Sequence, residues 1–369
     1  MKILKTYKYR IYPNSIQKEQ ISKTFGCARF VYNSVLSYRK EKYEKENISI
    51  NKIECNNYCN QILKNKYLFL KEVDKFALTN SIYNMDNAYQ KFFKEHRGYP
   101  KFKSKKNNYK SYTTNYTNNN IEVDFINNKI KLPKLKYIKA KVHRKFNGII
   151  KGATIIQVPS GKYYVSILVE EEQAIKERKN NVVGIDLGIK ELCVLSNGKK
   201  YENIKVLKKY ESKIKRIQKK LSKKIRGSHN YYKMKHRLAL VHEKVANIRQ
   251  NYLHKISSEI VCENQVIITE NLNVKSMIKN HKLAASIIDV SFYELTRQLE
   301  YKAKWNDRIY EKVDTFYPSS QICNVCGEQN KKVKDLQIRE WVCNQCNTKH
   351  DRDYNASINI LKQGLLQLI

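Results

Sequence analysis

Two short apolar segments that each end in an acid constrain the fold of this chain most strongly. In NVVGIDLGIK, the largely β-branched run 182–185 predicts a buried strand that stops at Asp186. In QVIIT, the run 265–269 predicts a second strand that stops at Glu270. Alone, Asp186 would be interpreted as an acid that opens a turn. Two such strands instead indicate an α/β sheet with chemistry at its strand ends, because an unpaired acid is costly there.

A third acid opens a helix near the end of the chain. In HDRDYNASINI the apolar residues recur at helical spacing, which places Asp353 in the first turn, where an acid also simply favours the helix dipole. Three carboxylates from two strands and a helix fit a site for two Mg²⁺ ions about 4 Å apart that hydrolyses phosphodiester bonds. Asp351 is the alternative third ligand. Asp353 is preferred, because Asp351 is expected to cap the helix or to pair with Arg352.

Four cysteines form the most specific local pattern. Two C-x-x-C pairs, separated by 16 residues, match the spacing of a zinc ribbon: Cys323, Cys326, Cys343 and Cys346. Four thiolates complete a tetrahedral shell, so the Zn²⁺ would be structural, and His350 is not needed as a ligand. The alternative is a set of unrelated buried thiols. The remaining cysteines are expected in the core: Cys27, Cys55, Cys59, Cys193 and Cys262.

The charge of the chain points to a polyanionic partner. Its 369 residues carry 72 Lys and Arg against 34 acids, a formal net charge of +38. Nucleic acid is the first expectation, since binding to phosphates releases counterions, and an anionic membrane surface is the alternative. No apolar run approaches the length of a membrane span, and the Lys- and Tyr-rich start does not look like a secretory signal. A cytoplasmic, nucleoid-associated protein is therefore expected.

The first half of the chain reads as a strand, a run of helices and then several short strands. A strand is expected within residues 1–14, and helical periodicity continues to about residue 95. After a polar, basic stretch, strands are expected at 121–125, 129–132, 140–142, 153–158 and 163–169. Short strands between turn residues predict a small barrel or sandwich, which the first strand would join. The charged segment 170–180 is expected to be a linker.

The second half alternates strands and helices around the two acid-ended strands. Residues 207–256 predict an antiparallel helical hairpin that turns at Gly227 and Ser228. A polar loop is expected from Glu270 to about Ser286, followed by a helix and the strand 308–313. The hairpin carries a run of basic residues that could be a solvated face or, as preferred here, a phosphate-contacting surface: Lys213, Lys215, Arg216, Lys219, Lys220, Lys223, Lys224 and Arg226.

These segments together resemble the TnpB family of transposon-encoded, RNA-guided DNA endonucleases, which look ancestral to type V CRISPR effectors. The similarity covers nearly the whole length of the chain. It includes the opening KTYKYRIYPNSIQKEQISKTFGCARFVYN, GYPKFKSKKNNYKSYT, VVGIDLGIK, ANIRQNYLHK, ITENLNVKSM and LEYKAKWND. The tail, YPSSQICNVCG through REWVCNQCNTKHDRDYNASINIL, is its most specific part. Ser357 departs from the Ala that family members often have at that position.

The resemblance implies an α+β multidomain fold. A β-barrel (wedge) domain, 1–14 and 98–178, would be interrupted by a helical recognition domain, 15–97. A RuvC-like (RNase H-type) α/β nuclease domain, 179–317 and 348–369, would contain an inserted zinc ribbon, 318–347, that binds the target nucleic acid. By motif match, Asp186, Glu270 and Asp353 would bind the catalytic Mg²⁺.

The resemblance also implies partners and a reaction. One protein would hold one guide RNA derived from the transposon end and make double-strand breaks in DNA next to a short adjacent motif, with base pairing supplying most of the specificity. Lys101, Phe102 and Lys103 are candidate nucleic-acid contacts, or alternatively ordinary barrel surface and core. Two other functions stay open: an RNase H-fold transposase without a guide, and an RNA-guided DNA-binding regulator that does not cut.

Overall fold

The computed structural model describes residues 1–174, 177–335 and 337–368. Two compact units make up the chain, Met1–Gln173 and Ala174–Ile369. The segment 170–180, expected as a linker, begins inside the first unit, because residues 170–172 still belong to a strand. Residues 175 and 176 of that segment lie outside the described residues. No helix within the described ranges combines the length and the apolarity that a membrane span needs.

The first unit begins with strand β1 (Lys2–Tyr12), which leads into helices. Helix α1 (Ser15–Glu46) starts after Asn14, whose side chain accepts a hydrogen bond from the Gln17 amide while the Gln17 side chain accepts one from the Asn14 amide. The elements that follow are α2 (Lys52–Asn57), a π-helical turn (Tyr58–Leu63), α3 (Lys64–Lys66), a 3-10 turn (Leu68–Lys71) and α4 (Lys75–Glu95). The predicted helical stretch to about residue 95 is confirmed.

The strands of the first unit form a single antiparallel sheet around β1. They are β2 (Lys110–Asn115), β3 (Glu122–Asp124), β4 (Lys129–Leu132), β5 (Lys136–Lys141), β6 (Ile149–Gln157) and β7 (Tyr163–Glu172). Their order is β2-β6-β7-β1-β5-β4-β3, so β1 joins the other strands, as predicted, and lies inside the sheet. In the described part of the chain the edge strands β2 and β3 do not pair with each other. The sheet is therefore a curled half-barrel and not a closed barrel.

Strand β2 was not expected. Its sequence, KSYTTN, looks polar, but Tyr112 and Thr114 are buried and alternate with neighbours that are exposed or half-buried. The whole strand pairs antiparallel with β6, with Tyr112 opposite Ile155. A polar strand is stable here because one face of it packs on the core while its backbone hydrogen bonds are made with β6.

The second unit is built on a mixed five-stranded sheet. Its strands are β8 (Val182–Leu187), β9 (Glu191–Leu195), β10 (Lys200–Glu202), β11 (Val266–Glu270) and β12 (Ile309–Val313), in the order β10-β9-β8-β11-β12. β8, β11 and β12 are parallel, whereas β9 and β10 are antiparallel to their neighbours. Parallel strands are buried on both faces, which explains why VVGI and VIIT are continuous apolar runs.

Helices follow the sheet strands as crossovers. α5 (Val206–Ser222) and α6 (His229–Glu263) form the predicted hairpin, with Gly227 in the left-handed region at φ 92° and Ser228 capping α6. The predicted polar loop from Glu270 to about Ser286 is wrong in part, because it contains α7 (Val274–Met277) and the first part of α8 (His281–Val290). α8 ends at buried Val290, which joins the core. α9 (Phe292–Trp305) then packs with α6 on one face of the sheet. Cys262, expected in that core, is exposed.

The last helix, α10 (Arg352–Leu366), covers the other face of the sheet. It lies so close to β8 that a Cβ on Gly184 would stand 2.6 Å from the Leu361 amide nitrogen and closer still to the Ser357 carbonyl oxygen. Only glycine fits this contact. The Ser357 hydroxyl donates within the helix to the Tyr354 carbonyl, so the departure from Ala is accommodated without an unpaired polar group.

Candidate active site and metal centre

Two of the predicted acids lie side by side at the end of the parallel strands. Asp186 is next to the last residue of β8 and Glu270 ends β11, and Ile185 pairs with Thr269 immediately before them. The Glu270 carboxylate accepts a hydrogen bond of 2.9 Å from the Leu187 amide, so it reaches across to the neighbouring strand. The strand end therefore presents two carboxylates to one space.

The third acid reaches this space from α10. Asp351 precedes the helix and accepts hydrogen bonds from the amides of Asp353 and Tyr354, at 3.1 and 3.0 Å, which fixes the first turn. The expected cap is confirmed. Its ion pair is with Lys200, at 2.8 Å, and not with Arg352, which donates to the Asp335 carbonyl. Asp351 is thus occupied as a cap, and Asp353 is the acid that faces the other two.

The electrostatics of the three acids show that they act on one another. Burial raises the pKa of Asp186 well above its ordinary value, and the charges of Glu270 and Asp353 raise it further. Burial also raises the pKa of Glu270 to about 7, with Asp353 adding to the shift and the Leu187 hydrogen bond opposing it. Carboxylates that resist ionisation together form a site that a cation would stabilise.

Arg339 is a member of this site that the sequence did not indicate. Its guanidinium donates to both carboxylate oxygens of Asp353, at 3.4 and 3.3 Å, and its charge opposes the raised pKa of Asp186. It lies between the two cysteine pairs, in a stretch without a motif. Only the folding of that stretch onto the start of α10 brings it there.

The chemistry of these donors fits Mg²⁺. Mg²⁺ binds carboxylate oxygens and keeps several water ligands, so it does not need acids in mutual contact. Within the described residues, the cysteine cluster is the one group of three or more His, Cys, Asp or Glu whose ligand atoms all lie within 4.8 Å of one another. The carboxylate oxygens of Asp186, Glu270 and Asp353 therefore do not all lie within 4.8 Å of one another.

The four predicted cysteines do come together. Cys323 and Cys346 have their sulfur atoms 3.6 Å apart, and those of Cys326 and Cys343 are 3.5 Å apart. A tetrahedral Zn²⁺ with Zn–S bonds of about 2.3 Å would place its sulfur ligands about 3.8 Å apart, so the cluster fits zinc. A disulfide is excluded at these distances. Interpretation of the four as unrelated thiols is therefore wrong.

The short strands β13 (Glu340–Val342) and β14 (Lys349–Asp351) complete this ribbon. His350 on β14 packs against Trp341, and its Nε2 lies 3.1 Å from the sulfur of Cys323. The imidazole is thus a neighbour of a shell that four thiolates already fill. β14 ends at the residue that caps α10, so the ribbon is continuous with the acidic site.

The predicted nucleic-acid contacts lie on the surface of both units. On the hairpin, Lys215, Lys219, Lys223 and Arg226 are exposed, the last two in the turn after α5, and Lys215 also pairs with Glu211 at 2.6 Å. In the first unit, Lys101 and Phe102 are exposed. The Lys103 ammonium lies 4.0 Å from the centre of the Tyr32 ring, and its backbone is held by Asn33. Lys103 is therefore engaged in packing on α1.

Three family profiles match parts of the chain. A "Probable transposase" family (OrfB_IS605) matches residues 166–281, a "Cas12f1-like, TNB domain" matches 292–360 and a "Helix-turn-helix domain" matches 1–47. In this structure the last of these segments is β1 followed by the single helix α1. The first two profiles contain all three acids between them.

Relatives cover the chain from end to end. A Streptomyces pristinaespiralis protein provisionally named RNA-guided DNA endonuclease is 33% identical over 98% of this chain and 90% of its own length. The similarly named InsQ of Escherichia coli K12 is 30% identical, over 99% and 93%. "TnpB-like protein L79" of Acanthamoeba polyphaga mimivirus is 24% identical, over 97% and 73%.

The chain belongs to the TnpB family. A solved structure shows the same fold: a chain of the "Cas12f1-sgRNA-target DNA complex" matches 97% of this chain and 98% of its own length, with a TM-score of 0.61 at 14% identity. The α+β fold inferred for this TnpB-family protein is thereby confirmed.

Proposed function

We propose that this protein is an RNA-guided, Mg²⁺-dependent DNA endonuclease that makes double-strand breaks beside a short adjacent motif. The observation that carries the proposal is the convergence of Asp186, Glu270 and Asp353 at the end of the parallel strands, where burial and the neighbouring Asp353 carboxylate raise the pKa of both Asp186 and Glu270. The names of the TnpB-family relatives and the solved guide-RNA and DNA complex support the choice of substrate.

The three acids would hold Mg²⁺, which when bound activates water and neutralises charge on the phosphodiester. The chain's own residues prepare the site. The Leu187 amide fixes one oxygen of Glu270, and the Asp351 cap fixes the backbone that carries Asp353. Arg339 supplies a positive charge at the edge of the site, where it can bind a non-bridging phosphate oxygen as negative charge develops.

The zinc ribbon would act as the support for one wall of this site. Four cysteines would hold Zn²⁺ without an open position, so its role is structural. Arg339 precedes β13 directly, and its backbone carbonyl accepts a hydrogen bond from the Arg352 amide at the start of α10. Loss of the metal would therefore release both Arg339 and the first turn that carries Asp353.

The basic surfaces would hold RNA and DNA by their phosphates. With a net charge of +38, the protein can neutralise a long guide and its target, while base pairing selects the sequence. The hairpin residues Lys215, Lys219, Lys223 and Arg226, together with Lys101, are the proposed contacts. Lys103 would contribute less, because its ammonium already lies over Tyr32. One protein would bind one RNA derived from the transposon end.

The proposed domains follow the family layout with the boundaries given above. The first unit would contain the wedge and recognition domains. The second would be the RuvC-like nuclease domain with its ribbon, a proposal supported by the order β10-β9-β8-β11-β12 and by α10 against β8.

A test of the function begins with the protein co-expressed with its flanking genomic DNA. The purified particle should contain an RNA of defined length and should cut matched DNA in Mg²⁺ at both strands. Asp186→Ala should bind the same RNA and leave the DNA intact. Absence of cutting by the wild type, with RNA present, favours an RNA-guided regulator that does not cut.

The transposase hypothesis has one observation in its favour, the "Probable transposase" profile over residues 166–281. Such an enzyme would join DNA strands at the transposon ends and would copurify with no specific RNA. Sequencing of the copurified nucleic acid separates it from the guided nuclease.

A further inference from the structure

A cavity of about 270 Å³ opens beside the acidic site of the second unit. It is lined by Glu270, by Lys312 of β12 and by residues of α9 between Phe292 and Glu300. Lys312 is close because it pairs in register with Thr269, the residue before Glu270. Glu270 therefore belongs both to the lining of this cavity and to the acidic site.

The lining of this cavity combines apolar and polar side chains. Leu272, Val274 and buried Phe292 supply apolar surface, while Asn271 and Thr296 supply groups that can donate and accept hydrogen bonds. Tyr293 also lines the cavity, and 69% of its surface is exposed. Its ring is therefore available for contact with a ligand. Apolar surface beside an exposed ring and an amide suits a flat heteroaromatic ligand.

Two cationic side chains, Arg297 and Lys312, also line the cavity. The guanidinium of Arg297 is held by both oxygens of Glu294, at 2.9 and 2.8 Å, which orients it in advance and leaves other N–H groups to donate. Lys312 lies 3.8 Å from Glu300, a loose and solvent-exposed pair that contributes little stability. Arg297 can therefore donate its remaining N–H groups to a phosphate without leaving Glu294, and Lys312 can turn to a phosphate at little cost.

We infer that this cavity binds the base of the nucleotide beside the phosphate that is cut, with Tyr293 stacking on the base and Arg297 and Lys312 at the flanking phosphate. The inference rests on the proposed nuclease function, because it assumes that the DNA strand to be cut passes Glu270. Tyr293 is a positioning residue: it touches the DNA strand but not the reacting atoms. Binding of the base would fix which phosphate reaches the acids.

The test uses the purified protein–RNA particle and a target whose cut positions have been mapped. An abasic site on one side of the mapped phosphate should slow cutting by the wild type about tenfold, the effect of one lost base stack. Tyr293→Ala should cut intact DNA about tenfold slower, and the abasic site should slow it no further. Tyr293→Phe should restore the abasic effect, since it keeps the ring.

Tyr43→Ala, which removes a comparably exposed ring from α1, controls for the loss of any surface aromatic. Wild-type rates for Tyr293→Ala, or an equal abasic effect in both proteins, would overturn the inference while leaving the nuclease function intact. A second experiment tests the cavity without requiring cleavage, so it is informative even if the protein does not cut DNA. A single-stranded oligonucleotide carrying 4-thiothymidine should photo-crosslink to the peptide that contains Tyr293. Crosslinks that omit this peptide would also overturn it.

Discussion

Substitution of Gly184 by alanine tests the contact that positions α10 and hence Asp353. The new Cβ would stand 2.6 Å from the Leu361 amide nitrogen and 2.8 Å from the Leu361 Cβ. Ordinary contact begins at 3.4 Å, so the helix must move away by at least 0.8 Å, the difference between 3.4 and 2.6 Å. Backbone atoms cannot turn aside as a flexible side chain can. The shift is therefore passed along α10 to its first turn.

Gly184→Ala is expected to lower both the stability of the protein and its rate of cutting. Overpacking of this kind lowers the free energy of unfolding by about 1 to 3 kcal/mol. Displacement of a catalytic group by nearly 1 Å can slow a reaction about 100-fold, so cutting should fall much more than stability alone would explain. Asp353 would stand farther from Asp186 and Glu270, and a higher Mg²⁺ concentration should be needed for half-maximal cutting.

The assay is single-turnover cutting of matched DNA by Gly184→Ala, together with urea unfolding of the same preparation. Gly26→Ala in α1 is the matched control, because a Cβ there meets nothing within 4 Å and glycine is a poor helix former. It should keep wild-type cutting and equal or higher stability. Wild-type cutting and unchanged stability in Gly184→Ala would refute the close packing of α10 on β8.

Three other changes test separate parts of the structure. Arg339→Ala should slow cutting about 100- to 1000-fold, the usual effect of removing one donor from developing charge, with RNA binding unchanged; full cutting would exclude a role at the phosphate. Cys326→Ser should abolish zinc binding, as measured by elemental analysis, and make the ribbon sensitive to protease. Zinc retained in this variant would contradict a four-cysteine shell. Burial lowers the pKa of Lys302 from 10.5 to about 8. Between these two pH values the unfolded chain binds more protons than the folded protein, so the contribution of this lysine to stability rises with pH there. Lys302→Met should flatten that rise in urea unfolding; an identical pH profile would show that the ammonium is not desolvated.

The sequence was sufficient to predict the elements whose burial or chemistry leaves a pattern in the residues. β8 and β11 are apolar runs with an acid at or next to the last residue, so their position was visible without any contact information. The cysteine spacing likewise predicted a cluster that the structure brings together. Gly184 also carries a signal in the sequence, since glycine inside a buried strand is typical of close approach by another backbone.

Elements that depend on distant partners could not be predicted in this way. β2 has polar residues throughout and becomes a strand only because β6 supplies its hydrogen bonds. The start of α8 lies in the stretch predicted as a polar loop, because the residues that anchor this helix in the core, Ile287 and Val290, come after that stretch. Arg339 has no local motif and joins the site only when the ribbon packs on α10. Tyr293 looked like any helical aromatic until its exposure and the cavity beside Glu270 were known.

The measurement that tests the account most directly compares the wild-type particle with Asp186→Ala, Glu270→Gln and Asp353→Asn on matched DNA in Mg²⁺. Each variant should carry the same RNA, bind the target as tightly as the wild type and lose cutting on both strands. Undiminished cutting by any one of them would contradict a site in which the three acids act together.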